Sequence, residues 1–192
     1  MFERFTKDAR ATVTGAVEHA ERTGAGTVTE DHLLLALLDR DAGRAAFAIT
    51  ALGLADRRQS VTAALADVRR RGGMTRADAD ALAGIGIDVT AVVARVEEAH
   101  GEGALRSDRG GRRRWTGGPS FSREAKKILE KSLRIALGRA DRFIGAEHLL
   151  LALAATPGPV AEVLTEHGAG YGAVERALFG AGGGTEGHRE AG

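Results

Sequence analysis

The sequence predicts an all-α fold built from a duplicated four-helix repeat. The segment Asp-His-Leu-Leu-Leu-Ala-Leu at residues 31–37 returns as Glu-His-Leu-Leu-Leu-Ala-Leu at 147–153, which is 116 positions later. Apolar residues recur at helical spacing, and no alternating run of β-branched or aromatic residues indicates a strand. Because an internal repeat constrains the whole architecture, we recognise it before assigning any single element.

The same offset relates other positions of the two copies. It carries Phe5-Thr6 onto Phe121-Ser122, Val13 onto Leu129, and Val28 onto Ile144. One unchanged offset across about thirty residues is typical of a tandem duplication rather than of chance similarity.

The first repeat, residues 1–71, divides into four predicted helices. Thr6 is a suitable N-cap for the first helix, which glycines at 24 and 26 end. The second begins near Thr29 and has a wide leucine stripe, so we expect it to be buried. The third and fourth cover about residues 44–52 and 56–71.

The second repeat, residues 119–179, follows the same order. Its helices begin at Ser122, near Gly145, at Pro159 and near Gly172. Proline suits a helix start because the N–H that it lacks would have no partner there. We therefore expect one domain over residues 1–179, followed by a disordered glycine-rich tail, 180–192.

A spacer, residues 72–118, separates the repeats and is too long for a simple linker. Asp88 is placed to cap an amphipathic helix that ends near His100, and residues 77–82 are predicted to form a short turn. Residues 106–115 carry five arginines and a tryptophan among glycines, which predicts a mobile basic loop.

Composition excludes several classes of function. The 192 residues hold 27 basic and 26 acidic side chains, a balance that argues against nucleic acid and membrane partners. The lack of cysteine removes disulfides, thiol catalysis and thiolate metal sites. No signal peptide or apolar run of 18 residues is present, so we expect a cytoplasmic protein, and a monomer.

Motifs for catalysis are also missing. No G-x-x-x-x-G-K-[ST] loop offers backbone N–H groups to nucleotide phosphates, and no G-x-S-x-G turn presents a nucleophile. His32 and His148 each follow a carboxylate but do not form the zinc motif H-E-x-x-H, so we expect them to be structural. The sequence predicts no enzyme, no cofactor and no metal.

Three segments carry a family resemblance: the start Met-Phe-Glu-Arg-Phe-Thr, the two leucine-rich segments, and Ser-Arg-Glu-Ala-Lys-Lys-Ile-Leu-Glu at 122–130. Together they closely resemble the N-terminal domain of Clp-family unfoldases, especially the ClpC type of Gram-positive bacteria. The resemblance covers residues 1–71 and 119–179 and implies a pseudo-twofold α-domain that recognises substrates without the ATPase modules. The long spacer departs from that pattern and looks like that of stand-alone actinobacterial Clp-N proteins.

The resemblance implies a first candidate site at Asp31 and Glu147, where unfoldase domains accept the guanidinium of phosphoarginine. A carboxylate can take the planar N–H fork of a guanidinium, and the adjacent helix start offers N–H groups to phosphate. The alternative is that both residues only complement the helix dipole. Glu30 and Ala146 stand where the family has threonine, and Glu30 adds negative charge beside any phosphate.

A second candidate site matches the surface that binds cyclomarin-type cyclic peptides in actinobacterial unfoldases. The matching residues are Phe2, Phe121, Lys126 and Glu130. The alternative is two core phenylalanines and an ordinary i,i+4 surface pair. We favour the cyclic-peptide surface over the phosphoarginine site, because all four of its positions are retained whereas the phosphoarginine positions have drifted.

The function that we predict is non-enzymatic binding of a peptide or protein ligand. The chain would sequester a cyclic peptide, compete with an unfoldase for substrates, or deliver substrates as an accessory of the Clp protease. Recognition of phosphoarginine-tagged substrates is the alternative, and nucleic-acid binding through the basic loop is a further one, which a steep salt dependence would reveal. A hydrolase of an arginine-linked group would need a nucleophile–base pair that the sequence does not offer.

Overall fold

The computed structural model describes residues 2–101, 104–105 and 118–180. A 3-10 turn, Phe2–Arg4, precedes the helices of the first repeat: α1 (Lys7–Arg22), α2 (Glu30–Leu38), α3 (Arg44–Ala51) and α4 (Arg58–Arg70). The spacer contains α5 (Arg76–Gly84) and α6 (Val89–His100), and the second repeat contains α7 (Arg123–Gly138), α8 (Ala146–Ala155), α9 (Pro159–Glu166) and α10 (Tyr171–Phe179). The all-α duplicated repeat is confirmed, whereas the predicted basic loop and the tail after residue 180 lie outside the described residues.

The first helix of each repeat begins at an equivalent hydroxyl cap. The Thr6 side chain accepts a hydrogen bond from the Ala9 N–H at 3.1 Å, and the Ser122 side chain accepts one from the Ala125 N–H at 2.9 Å. Each cap satisfies one of the N–H groups that a helix start leaves without a partner. The duplication is therefore visible in the hydrogen bonds as well as in the sequence.

The leucine-rich helices α2 and α8 lie at the centre of the molecule, as predicted. All residues in 31–38 and in 148–153 are buried. The two helices contact each other, and each packs along the first helix of its own repeat, α1 or α7. A helix that is apolar around its whole circumference needs cover on every side, which these neighbours provide.

The repeats exchange their outer helices. The fourth helix of repeat one, α4, packs on α9 of repeat two, and α10 packs in return on α3. At the first of these contacts the Ser60 hydroxyl lies 2.9 Å from Nε2 of the buried His167. Because each repeat completes the other's core, the two halves form one packed unit.

The third helices, α3 and α9, also begin in the same way. Each follows a glycine with a positive φ angle, +100° at Gly43 and +154° at Gly158. A side chain is strained in this region of backbone conformation, so glycine suits both turns. Each of these helix starts forms one wall of a surface cleft.

Two short parallel strands join the repeats, which corrects the prediction that strands are absent. Strand β1 (Thr27–Val28) pairs with β2 (Ser120–Phe121), and the Ser122 N–H donates to the Val28 carbonyl at 2.8 Å. In the equivalent place the Thr6 N–H donates to the Ile144 carbonyl at 2.9 Å. Strands of two residues are too short for an alternating pattern to reveal them.

The spacer helices α5 and α6 form a hairpin, and each of the two helices is bonded to a helix of a repeat. The backbone N–H groups of Arg76 and Ala77 donate to the Glu162 carboxylate at 2.7 and 3.3 Å. Arg70 of α4 forms an ion pair with Glu97 of α6 at 3.2 Å. The start of α5 is therefore capped by a side chain from α9, and α5 is longer than the turn predicted over residues 77–82.

Replacing Glu162 by alanine is expected to release the start of α5, because two helix N–H groups lose their carboxylate partner. We expect hydrogen exchange at the first amides of α5 to rise about fivefold, equivalent to about 1 kcal/mol for an exposed cap. Glu98→Ala, which removes an exposed carboxylate from α6, is the matched control and should leave these amides unchanged. Equal exchange in both variants would contradict the capping role.

Candidate functional site

Two surface clefts lie beside the equivalent contacts of α4 with α9 and of α10 with α3, where the repeats exchange their outer helices. The acidic cleft, of about 270 Å³, lies between the start of α2, the end of α4 and the start of α9. The arginine cleft, of about 1180 Å³, lies between the start of α3 and the end of α10. Glu147, at the start of α8, reaches toward the arginine cleft through Arg44.

Both central helices begin with a buried histidine that caps the backbone. The N–H of Thr29 donates to Nδ1 of His32 at 3.1 Å, and the N–H of Gly145 donates to Nδ1 of His148 at 2.9 Å. At His148 the other ring nitrogen, Nε2, lies 3.0 Å from the Asp141 carboxylate, so the neutral ring carries its proton there. This geometry supports the structural role predicted for both histidines.

Asp31 is buried at the edge of the acidic cleft, with 6% of its surface exposed. One carboxylate oxygen accepts a hydrogen bond from the Thr29 hydroxyl, and the other lies 3.2 Å from Nε of Arg69. The chain therefore places its own guanidinium against the carboxylate that the resemblance assigned to a ligand's guanidinium.

The rest of the acidic cleft is rich in carboxylates. Glu30 and Glu124 line it together with Asp31, and Arg69 is the one basic residue among the described lining. A smaller cavity of about 130 Å³ adjoins it and is lined by Glu30 and Glu124, by one basic residue, Lys127, and by apolar residues that include Ile128, Leu153 and Val160. This cleft suits a cationic ligand group better than a phosphate.

Glu147 is more exposed than its counterpart Asp31 and lies farther from its basic partner. Its side chain is 14% exposed, and its nearest basic partner is Arg44, whose guanidinium nitrogen lies 3.9 Å from the carboxylate. At that separation the pair attracts without forming a hydrogen bond. The second copy of the candidate phosphoarginine position is therefore more open to a ligand than the first.

Arginine and aromatic side chains meet in the arginine cleft. The guanidinium carbon of Arg139 lies 3.4 Å from the ring centroid of Phe179, and that of Arg44 lies 5.9 Å away, both within cation–π range. Phe47, which is 71% exposed, lies at the rim. The hydroxyl of Tyr171 donates to Glu175 at 2.9 Å, and this hydrogen bond raises the pKa of the tyrosine.

Three of the four residues of the candidate cyclic-peptide surface have side chains that the structure describes. Lys126 and Glu130 are exposed on α7, four residues apart. Phe121 lies in β2 just before that helix and packs partly buried against the core. The backbone of Phe2 belongs to the 3-10 turn, but its side chain lies outside the described residues.

Other kinds of site receive no support within the part of the chain described. No three histidine, aspartate or glutamate side chains among the described residues form a group that could hold a metal ion. No single described helix has both the length and the apolar character of a membrane span; only α8 and α9 together pass that test, and they meet at 97°.

Comparison with protein families explains the duplicated architecture. The family model of the Clp repeat (R) N-terminal domain matches the chain twice, at residues 4–75 and 71–167. The chain belongs to the Clp repeat N-terminal domain family. The resemblance found in its sequence is thereby confirmed, and the clefts lie in a domain of the type that Clp chaperones use to bind substrates and adaptors.

Solved structures agree with this assignment at the level of the fold. The Clp repeat domain is similar to the N-terminal domain of the caseinolytic protease-associated chaperone ClpD from Arabidopsis thaliana and to the Hsp104 N-terminal domain from Candida albicans. Each superposes with a TM-score of 0.50 at 17% identity, covering 94% of this chain and 96% or 93% of the other. At that identity the likeness establishes the fold alone.

The arginine cleft was missed by sequence reasoning. Its arginines come from α3, from the turn after α7 and from α10, segments that sequence spacing does not bring together. The available signal was weak: an arginine and a phenylalanine, Arg44 and Phe47, are one helical turn apart on a helix whose other turns are apolar. Three-dimensional packing was needed to show that they line one cleft with Phe179.

Proposed function

We propose that this chain is a non-catalytic binding module for a peptide or protein ligand. Domains of its family bind the substrates and adaptors of Clp chaperones, which supports a protein ligand. The observation that carries the proposal is the arginine cleft, which has a volume of about 1180 Å³ and an exposed phenylalanine at its rim. Large exposed aromatic side chains beside a cleft are typical of protein-binding surfaces.

A lack of catalysis is part of the same proposal. The 192 residues contain no nucleotide-binding G-x-x-x-x-G-K-[ST] loop and no cysteine nucleophile. The buried His32 and His148 are engaged in capping helix starts. The third buried histidine, His167, lies 2.9 Å from the Ser60 hydroxyl at the contact of α4 with α9, and neither residue lines the acidic cleft or the arginine cleft. A hydrolase would need a nucleophile and base within hydrogen-bond reach of each other at one of the clefts.

Sequestration of a cyclic peptide, or a role as an accessory of the Clp protease, is the first specific form of this function. The exposed Lys126 and Glu130 support it, because a ligand could reach both from one side of α7. The partial burial of Phe121 reduces the ring area available for contact. Competition for substrates and delivery of substrates are the other roles consistent with the same surface.

Recognition of phosphoarginine is the second specific form, and one observation favours the second repeat for it. Glu147 could accept the ligand's guanidinium while Arg44 and Arg176 contact the phosphate. In the first repeat the ligand's place against Asp31 is taken by Arg69. Nucleic-acid binding through the basic spacer loop stays a further alternative.

Calorimetry with free phosphoarginine and with a cyclomarin-type peptide separates these forms. If phosphoarginine binds, Glu147→Ala should weaken it by about tenfold or more, because a lost charged hydrogen-bond partner is worth about 1.5–3 kcal/mol. Asp31→Asn is the matched control and should change binding little, since Arg69 already occupies that carboxylate. If the cyclic peptide binds instead, Lys126→Ala should weaken it while Glu147→Ala leaves it intact.

The general proposal has its own test, independent of those two ligands. The purified chain should retain a subset of peptides from a large arrayed library, and the retained set should not depend on ATP. Uniform failure to bind any peptide or any Clp component would contradict the function proposed here.

A further inference from the structure

The two equivalent clefts carry opposite charge. Glu30, Asp31 and Glu124 outnumber Arg69 in the acidic cleft. Arg44, Arg139 and Arg176 outnumber Glu175 in the arginine cleft. Duplicated sites that keep their position but reverse their charge select different ligands, because like charge excludes what opposite charge attracts.

The arginines of the second cleft have unused hydrogen-bonding capacity. Among the described residues, none accepts a hydrogen bond from the side chains of Arg44, Arg139 or Arg176; the nearest carboxylates are Glu147, 3.9 Å from Arg44, and Asp141, 4.0 Å from Arg139. In the acidic cleft, Arg69 lies closer to a carboxylate, forming an ion pair with Asp31 at 3.2 Å. The second cleft thus presents guanidinium donors to whatever enters it.

The carboxylates near the arginines do not cancel the positive charge of the arginine cleft. Glu175 accepts the hydrogen bond of Tyr171, and the side chain of Glu147 is 14% exposed beneath Arg44. Both carboxylates therefore face neighbouring side chains of the protein. The exposed charged groups of the cleft are the arginines, and 64% of the Arg44 side-chain surface is exposed.

Apolar surface lies directly beside the positive charge. Phe47 is one helical turn from Arg44 and is 71% exposed, and Phe179 forms the floor against which Arg139 stacks. The guanidinium of Arg139, stacked on the Phe179 ring, is held in place before a ligand arrives, which reduces the entropy that this group loses on binding.

We propose that the arginine cleft binds an acidic peptide segment that carries an aromatic or aliphatic side chain. Carboxylates of the segment pair with Arg44 and Arg176, and its apolar side chain packs against the exposed ring of Phe47. Guanidinium groups bind carboxylates through two parallel hydrogen bonds, which gives direction as well as charge complementarity. The inference rests on the proposed function and specifies the ligand class of one of the two clefts.

Fluorescence anisotropy with two labelled peptides tests this. One probe alternates glutamate with phenylalanine, and the other replaces each glutamate by glutamine. The chain should bind the acidic probe at least about tenfold more tightly, since two charged pairs of modest strength account for such a ratio. The double variant Arg44→Gln, Arg176→Gln should remove that preference, and Phe47→Ala should weaken both probes by about threefold to tenfold.

A control double variant removes two positive charges outside the arginine cleft. Arg10→Gln with Arg123→Gln neutralises two exposed arginines on α1 and α7, outside the cleft, and should leave the preference intact. Equal loss in both double variants, or equal affinity for both probes, would overturn the inference. If the chain binds library peptides but not the acidic probe, the inference fails and the proposed function stands; if it binds no peptide, both fail.

Discussion

Replacing Leu150 by alanine is expected to lower the free energy of unfolding by about 2–5 kcal/mol. The side chain is fully buried in α8, the helix that contacts both repeats. Truncation removes apolar contacts and leaves a cavity that the surrounding helices cannot fill without losing their other contacts. The equivalent leucine of the first repeat, Leu34, is also fully buried and should show a loss of the same size.

Urea denaturation followed by helical circular dichroism measures this loss. Leu137→Ala is the matched control, because that leucine on α7 is 56% exposed and its truncation should change stability by less than about 0.5 kcal/mol. An unchanged midpoint for Leu150→Ala would mean that α8 is not at the centre of the core.

Replacing His148 by alanine is expected to cost about 3 kcal/mol, the second largest effect. The ring is 1% exposed, accepts the Gly145 N–H and donates to Asp141. Its loss leaves a buried N–H without a partner and opens a cavity under the start of α8. Glycine has no side chain that could cap the helix instead.

His148→Asn separates the two contributions, because an asparagine side chain can still accept the backbone N–H. It should recover part of the lost stability, whereas His100→Ala, at an exposed position of α6, should have no effect. Equal stability of the alanine variant and the parent chain would show that the histidine is not a cap.

Helices and their buried faces could be predicted because their signals are local. Thr6 and Ser122 mark helix starts that the structure confirms by hydrogen bonds. The leucine-rich helices were predicted to be buried because their apolar stripe is wide, and the leucines of α2 and α8 are all buried. The duplication added a check, since each signal occurs twice.

Interactions between the repeats could not be predicted in the same way. The packing of α4 on α9 depends on how two amphipathic faces meet in space, which spacing along the chain does not encode. The cap that Glu162 provides for α5 joins residues far apart in sequence. Nothing around either segment distinguishes Glu162 from an ordinary surface carboxylate.

The candidate sites, too, could be predicted where the signal is local and not where it depends on packing. The sequence located Asp31 and Glu147 at equivalent helix starts, and the two residues lie in the first turns of α2 and α8. It did not indicate that Arg69 pairs with Asp31, because that arginine belongs to a helix with several others of its kind. The opposite charges of the two clefts followed only from residues that packing brings together.

The exchange of outer helices between repeats has a consequence for the tether that joins them. The chain between α4 and α7 runs over residues 71–122, yet both of its ends are fixed by helices packed in the shared core. For a flexible tether the entropy of closure grows only with the logarithm of its length, about 0.6 kcal/mol for each doubling. A long connection therefore costs little more closure entropy than a short one, and the two repeats remain at a high effective concentration of one another. The contacts that α5, α6 and β2 make with the repeats restrict sequence change within those elements.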